Sequence, residues 1–235
     1  MAKDVIVALD FSGKEEAYEF LDKFDQAIYT KVGMELFYKE GPDIVREIKK
    51  RGHKVFLDLK FHDIPNTVWG AVRSVLDLDV DMVNLHIPAG EKAIQGAREI
   101  LDQAKSSTIL LGVTVLTSME EEDLRDLSIQ GSLKDVVESY GKLGLDAGLH
   151  GLVCSAQEVA DLKKDLGDFI AVTPGIRPGG QAGQDDQKRT MTPAQAAKAG
   201  SDYIVVGRPI RKAQDPLEAY RAIKAEFLKE EVWNT

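Results

Sequence analysis

Asp58, Lys60 and Asp63 stand within six residues of one another, in the run DLKFHDIPNT at 58–67. Lys54-Val55-Phe56-Leu57 precedes them and reads as a short buried strand. From Asn66 onward, Val68, Val72, Val75 and Leu76 mark one face of a helix. Residues two apart on an extended chain point to the same side, so Asp58 and Lys60 share a face. Two carboxylates then bracket an ammonium at the mouth of a strand. Such a cluster is costly to bury and packing rarely needs it. The plain structural reading is an ion pair on a loop. The chemical reading is a charged catalytic cluster.

Two further chemistries fit these residue types less well. His62 and His86 are of the residue type that, with Asp58 and Asp63, would suggest metal ligation. Lys60 opposes this, because its ammonium already fills the carboxylate cage. A Schiff-base role for Lys60 needs a depressed pKa, and two carboxylates push it upward. Proton donation suits Lys60 better.

The elements that must carry these residues alternate along the whole chain. Candidate strands are Val5–Leu9, Ala27–Val32, Val55–Leu59, Met82–His86, Thr108–Val115, Gly151–Cys154, Phe169–Val172 and Tyr203–Val206. Several are nearly continuous in apolar residues, as strands covered on both faces are. The stretches between them carry helix-start signals. Ser12 with Glu15, Ser132 with Asp135, Ser155 with Glu158, Thr192 with Gln195 and Asp215 with Glu218 have capping-box spacing. Pro193 and Pro216 suit first-turn positions, and Gly52 and Gly200 suit helix C-termini.

Eight β-then-α units in 235 residues predict an α/β fold, a single-domain (β/α)8 TIM barrel spanning residues 1–235. A doubly wound open sheet is the alternative. It is weakened because no G-x-G-x-x-G follows the first strand. Two connections are long, 116–131 and 174–191. The second is rich in Gly, Pro and Gln and reads as a lid.

In such a barrel chemistry sits at the C-terminal ends of the strands. Polar residues gather there: Asp10, Lys31, Asp58, Lys60, His86, Thr117, Ser118, Arg177, Gly207 and Arg208. Gly207 allows close backbone approach and Arg208 offers a forked donor, a pairing suited to phosphate after strand eight. Arg177 could add a second cation, and Gln187 a neutral donor. Net charge is −9, which argues against a general nucleic-acid or anionic-membrane surface. No apolar run is long enough to span a bilayer, no signal-peptide pattern opens the chain, and the expected location is cytoplasmic. The single cysteine, Cys154, excludes an internal disulfide and reads as a small buried hydrophobe.

With these residues in place, the chain resembles the orotidine 5′-monophosphate decarboxylases over essentially its whole length. DLKFHDIPNT at 58–67 carries most of the resemblance. ALD at 8–10, KVG at 31–33, VLTS at 115–118, TPGIR at 173–177 and VVGRPI at 205–210 support it. A bare D-x-K-x-x-D also occurs in related barrels that act on sugar phosphates. FHDIPNT and Lys31 favour the orotidylate enzymes.

The resemblance implies decarboxylation of orotidine 5′-monophosphate to uridine 5′-monophosphate, in pyrimidine synthesis de novo, with no metal or organic cofactor. It implies that Lys60 stabilises and protonates a carbanion, and that Asp58 lies near the substrate carboxylate. Lys31 would hold Asp58 and a ribose hydroxyl, and Asp10 would bind ribose. Thr117 and Ser118 would meet the pyrimidine. Arg177, Gln187, Gly207 and Arg208 would hold the phosphate. Asp63 and Thr67, with Ile64 and Pro65 on the same loop, would enter the site of a neighbouring subunit. A homodimer with shared active sites follows. The competing functions are a metal-dependent sugar-phosphate decarboxylase or aldolase, and a nucleotide-binding protein without turnover.

Overall fold

Apolar segments that must be covered on both faces become eight parallel strands. These are β1 (Asp4–Ala8), β2 (Tyr29–Gly33), β3 (Lys54–Phe61), β4 (Met82–His86), β5 (Ile109–Val113), β6 (Gly151–Val153), β7 (Ile170–Thr173) and β8 (Tyr203–Val206). Each pairs with the next, and β8 returns to β1 through Asp4↔Tyr203 and Val7↔Val206 to close a barrel. The structure, a computed structural model, describes residues 3–180 and 189–228. All eight expected strands form, with their ends displaced by up to two residues.

Alternation along each strand divides the core in two. Ile6, Ala8, Phe56, Met82, Leu111 and Val172 point into the barrel and pack as one inner cluster. Tyr29 and Tyr203 meet there edge to face, with ring centroids 5.7 Å apart. Val5, Val7, Leu9, Val55 and Leu57 point outward to the surrounding helices. This is the two-sided burial that the continuous apolar strands require.

The helices are α1 (Lys14–Leu21), α2 (Met34–Glu40), α3 (Asp43–Lys50), α4 (Pro65–Leu76), α5 (Glu91–Gln103), α6 (Glu121–Asp126), α7 (Leu133–Asp146), α8 (Val159–Leu166), α9 (Pro193–Ala199), α10 (Arg208–Arg211) and α11 (Pro216–Leu228). Among the described residues no helix is long and apolar enough to cross a membrane. Capping boxes close at Ser132 with Asp135 and at Thr192 with Gln195. Asp215 accepts from the Glu218 N–H at 3.0 Å.

Two expected caps form differently. Gly13, not Ser12, precedes α1, and the Ser12 hydroxyl turns to Glu16 instead. Glu158 is itself the residue before α8, and its carboxylate accepts from the Ser155 N–H at 2.9 Å. The 116–131 connection is not a bare loop. It contains α6, started by a capping box between Glu120 and Asp123.

The strand cage leaves no room at some small positions. A Cβ on Gly151 would lie 2.1 Å from the Ile170 carbonyl oxygen on the neighbouring strand. Backbone cannot yield as a flexible side chain can. Gly151→Ala is therefore expected to destabilise the barrel by about 1–3 kcal/mol, the usual cost of overpacking. Urea unfolding should show a lower midpoint at an unchanged slope. A change within ~0.5 kcal/mol would mean the barrel relaxes without cost.

Candidate active site

The strand ends converge on a cavity of about 570 Å³. Asp10, Lys31, Asp58, Lys60, Thr117, Ser118, Arg177, Gly207 and Arg208 all line it. The fold thus brings together residues spread over nearly 200 positions of chain. Asp63, Ile64, Pro65 and Thr67 do not line it. Asp63, Ile64 and Thr67 are exposed, and Asp63 accepts from the Ile64 N–H at 2.7 Å. Gln187 lies outside the described residues.

Along one side of the cavity, charges alternate. Asp10 Oδ1 lies 3.1 Å from Lys31 Nζ, Lys31 Nζ lies 3.5 Å from Asp58 Oδ2, and Lys60 Nζ lies 2.7 Å from Asp58 Oδ1. The side chains of Lys31 and Asp58 retain 13% and 12% of their exposure. Such low exposure makes their mutual compensation obligatory.

Lys60 reaches this position through an unusual backbone. Its φ is +51°, in the left-handed region that lysine rarely enters. The β3–β4 register shifts between Leu57 and Phe61, so β3 carries an irregularity at its C-terminal end. Asn84 on β4 holds this bend. Its Oδ1 accepts from the Lys60 N–H at 2.8 Å, and its Nδ2 donates to Asp58 Oδ1 at 2.7 Å. One buried amide fixes both the strained backbone and the carboxylate beside it.

Asn84 was not foreseen from sequence, yet the signal is present. It is polar and lies two residues from both Met82 and His86 on an apolar strand, which directs it to the barrel interior. Arg211 also lines the cavity unforeseen, one turn beyond Arg208. A third unforeseen feature is Arg189. It pairs with Glu158 and donates to the Leu116 carbonyl at 3.2 Å. This ties the end of the connection after β7 to the loop that carries Thr117. The Arg177 N–H donates to the Met191 carbonyl at 2.9 Å, closing the same base.

Burial alone would raise the Asp58 carboxyl. The Lys31 and Lys60 ammoniums, with hydrogen bonds from Lys60 and Asn84, outweigh it and hold the group below its ordinary value. Burial would lower Lys31, but Asp58 and Asp10 raise it above its ordinary value. A depressed carboxylate adds stability above its unfolded value, near pH ~3.9, and loses it as pH falls through the folded value. A raised lysine adds stability below its unfolded value, near pH ~10.4, and loses it as pH rises through the folded value. The cluster therefore stabilises the fold across the neutral range. Asp58→Asn is expected to be less stable than the wild type at neutral pH, with the gap narrowing below about pH 4. Unfolding curves measured from acid to neutral pH check this. An unchanged gap at pH ~3 would show that the ionised carboxylate is not what stabilises.

The His86 and His62 rings meet at a tilt with centroids 5.3 Å apart, and burial with the nearby His62 lowers His86 below its ordinary value. Neither ring lines the cavity. Among the described residues no group of three or more His, Cys, Asp or Glu side chains is placed to hold a metal ion. Cys154 is fully buried and its thiol is pushed up by that burial, as suits a packing residue.

Residues 3–223 match the family described as Orotidine 5′-phosphate decarboxylase / HUMPS family. The chain belongs to that family. It is 52% identical over 227 residues to an orotidine 5′-phosphate decarboxylase of Streptococcus suis, covering 94% of this chain and 96% of that protein. It is 50% identical over 225 residues to the enzyme of that name from Staphylococcus aureus, covering 95% and 97%. The crystal structure of orotidine 5′-phosphate decarboxylase from Lactobacillus acidophilus superposes with a TM-score of 0.86 at 38% identity, covering 96% of this chain and 99% of that one. The family resemblance carried by DLKFHDIPNT is thus upheld over almost the full barrel.

Proposed function

We propose that this chain decarboxylates orotidine 5′-monophosphate to uridine 5′-monophosphate and CO2, the closing step of pyrimidine nucleotide synthesis. One observation carries the reading: the alternating Asp10–Lys31–Asp58–Lys60 chain of charges in a cavity that Arg177 and Arg208 also line. Family membership and relatives of that name at half identity support it.

The bond between C6 and the carboxylate breaks, and its electron pair remains on C6. CO2 departs, and C6 takes a proton from the Lys60 ammonium. No adjacent electron sink exists in the pyrimidine, so fixed charges must lower the barrier. Lys60 supplies a positive charge where the pair develops. Asp58 stands against the substrate carboxylate and opposes the localised charge of the ground state. The hydrogen-bonding Asn84 keeps both in place before substrate arrives. Lys31 and Asp10 take the ribose hydroxyls, Thr117 and Ser118 the pyrimidine, and Arg177, Gln187, Gly207 and Arg208 the phosphate. The chemistry uses neither metal nor organic cofactor, and nucleic acid is not a partner. The protein works in the cytoplasm as a homodimer, with Asp63, Ile64, Pro65 and Thr67 of each protomer completing the other's site.

The test is the absorbance change on adding orotidylate to protein treated with EDTA, with uridylate identified as product. Turnover abolished by chelation would favour the metal-dependent sugar-phosphate chemistry of related barrels. Tight uridylate binding without turnover would make this a nucleotide-binding protein.

A further inference from the structure

Arg211 stands in the cavity without a role in the reading above. Gly207 precedes α10, and the Arg211 N–H donates to the Gly207 carbonyl at 2.9 Å. Arg208 and Arg211 are three apart on this single turn and share its face. Both line the cavity, as does Arg177. The Arg211 guanidinium carbon lies 5.2 Å from the centroid of the Phe11 ring. A cation held over a ring face is attracted there without using its N–H donors, which stay available to other partners. Arg211 Nε is buried, with no hydrogen-bond partner among the described residues. That Nε is covered, so the terminal guanidinium nitrogens are what this side chain can offer a ligand in the cavity.

We propose that Arg211 is a further substrate-binding residue, which Phe11 presents beside Arg208 to the phosphate dianion of the nucleotide. The proposal rests on the reading of this cavity as a nucleoside-monophosphate site. A phosphate monoester carries close to two negative charges near pH ~7 and three acceptor oxygens. Arg177 and Arg208 leave room in that inventory for a third forked donor. A role in packing alone would be served by an apolar chain over Phe11. A charged chain that lines a cavity beside Arg177 and Arg208 is explained by an anion.

The experiment compares uridine 5′-monophosphate with uridine, which lacks only the phosphate. Calorimetric titration measures both on wild type, Arg211→Met and Arg211→Lys, and needs no turnover. Methionine keeps an unbranched chain over Phe11 and removes the charge. Thermal unfolding first verifies that each variant is folded. The expected result for Arg211→Met is a loss of at least about tenfold for uridylate and less than about twofold for uridine. Arg211→Lys should recover part of the loss, since it restores charge without the fork. Unchanged uridylate affinity in Arg211→Met would overturn the proposal. So would equal losses for nucleotide and nucleoside, which would make Arg211 a shaping residue. Wild type that holds uridylate no better than uridine would overturn the nucleotide reading of the cavity, and Arg211's assignment with it.

Discussion

Lys60→Ala is expected to abolish turnover and leave the barrel folded. In the proposed reaction Lys60 supplies both the proton for C6 and the positive charge opposite the developing carbanion. Its Nζ sits 2.7 Å from Asp58. Lys31 is the other ammonium on that carboxylate, but Asp10 also holds it at 3.1 Å. It has no freedom to take over. The fold should survive because Asn84 still accepts from the backbone N–H at position 60 and still donates to Asp58. The strained φ remains with alanine, so Lys60→Gly is the useful companion, since glycine occupies that backbone region without strain. Both variants should be inactive, with Lys60→Gly the more stable. Retention of more than a tenth of the wild-type rate, a barrier change of only ~1.4 kcal/mol, would remove Lys60 from its assigned role.

The barrel and most of its cavity were legible in the sequence because two signals coincide. Unbroken apolar strands locate the core, and a polar residue at the end of such a strand has few places to go except the barrel mouth. Asp10, Lys31, Asp58 and Arg208 follow that logic directly. Asn84 escaped because one uncharged residue inside a strand resembles tolerated polarity. Only the partners at 2.7 and 2.8 Å reveal its task. The bend at Lys60 escaped for a different reason. Period-two alternation assumes a regular strand, whereas Lys60 meets Asp58 through a left-handed residue and a shifted register. Ser12 and Glu15 had the spacing of a capping box, but spacing does not fix which residue begins the helix, and Gly13 does so. The short α6 lay hidden because a six-residue helix is too brief for a clear 3.6-residue period.

Asp63 carries the second large expected effect, because it does not line the cavity of its own chain. It lies outside the lining, exposed, on a loop stiffened where Pro65 begins α4. Ile64 beside it keeps 68% of its surface exposed, an apolar side chain held outward next to a charged one. Both features suit a loop that completes the site of a second protomer. In a twofold dimer the same patch serves both chains, so a loop that reaches across would make each site composite. Lys60→Ala and Asp63→Ala are each expected to be inactive alone. Mixed after dissociation and reassociation, they should regain activity. A mixed dimer has one site carrying both defects and one carrying neither. With equal mixing about half the dimers are mixed, each with one intact site of two, so recovery should approach about a quarter of the wild-type rate by symmetry counting. Subunit exchange is verified independently by differently tagged chains. If exchange is complete and activity stays at zero, Lys60 and Asp63 act within one chain, and the exposed loop has another purpose.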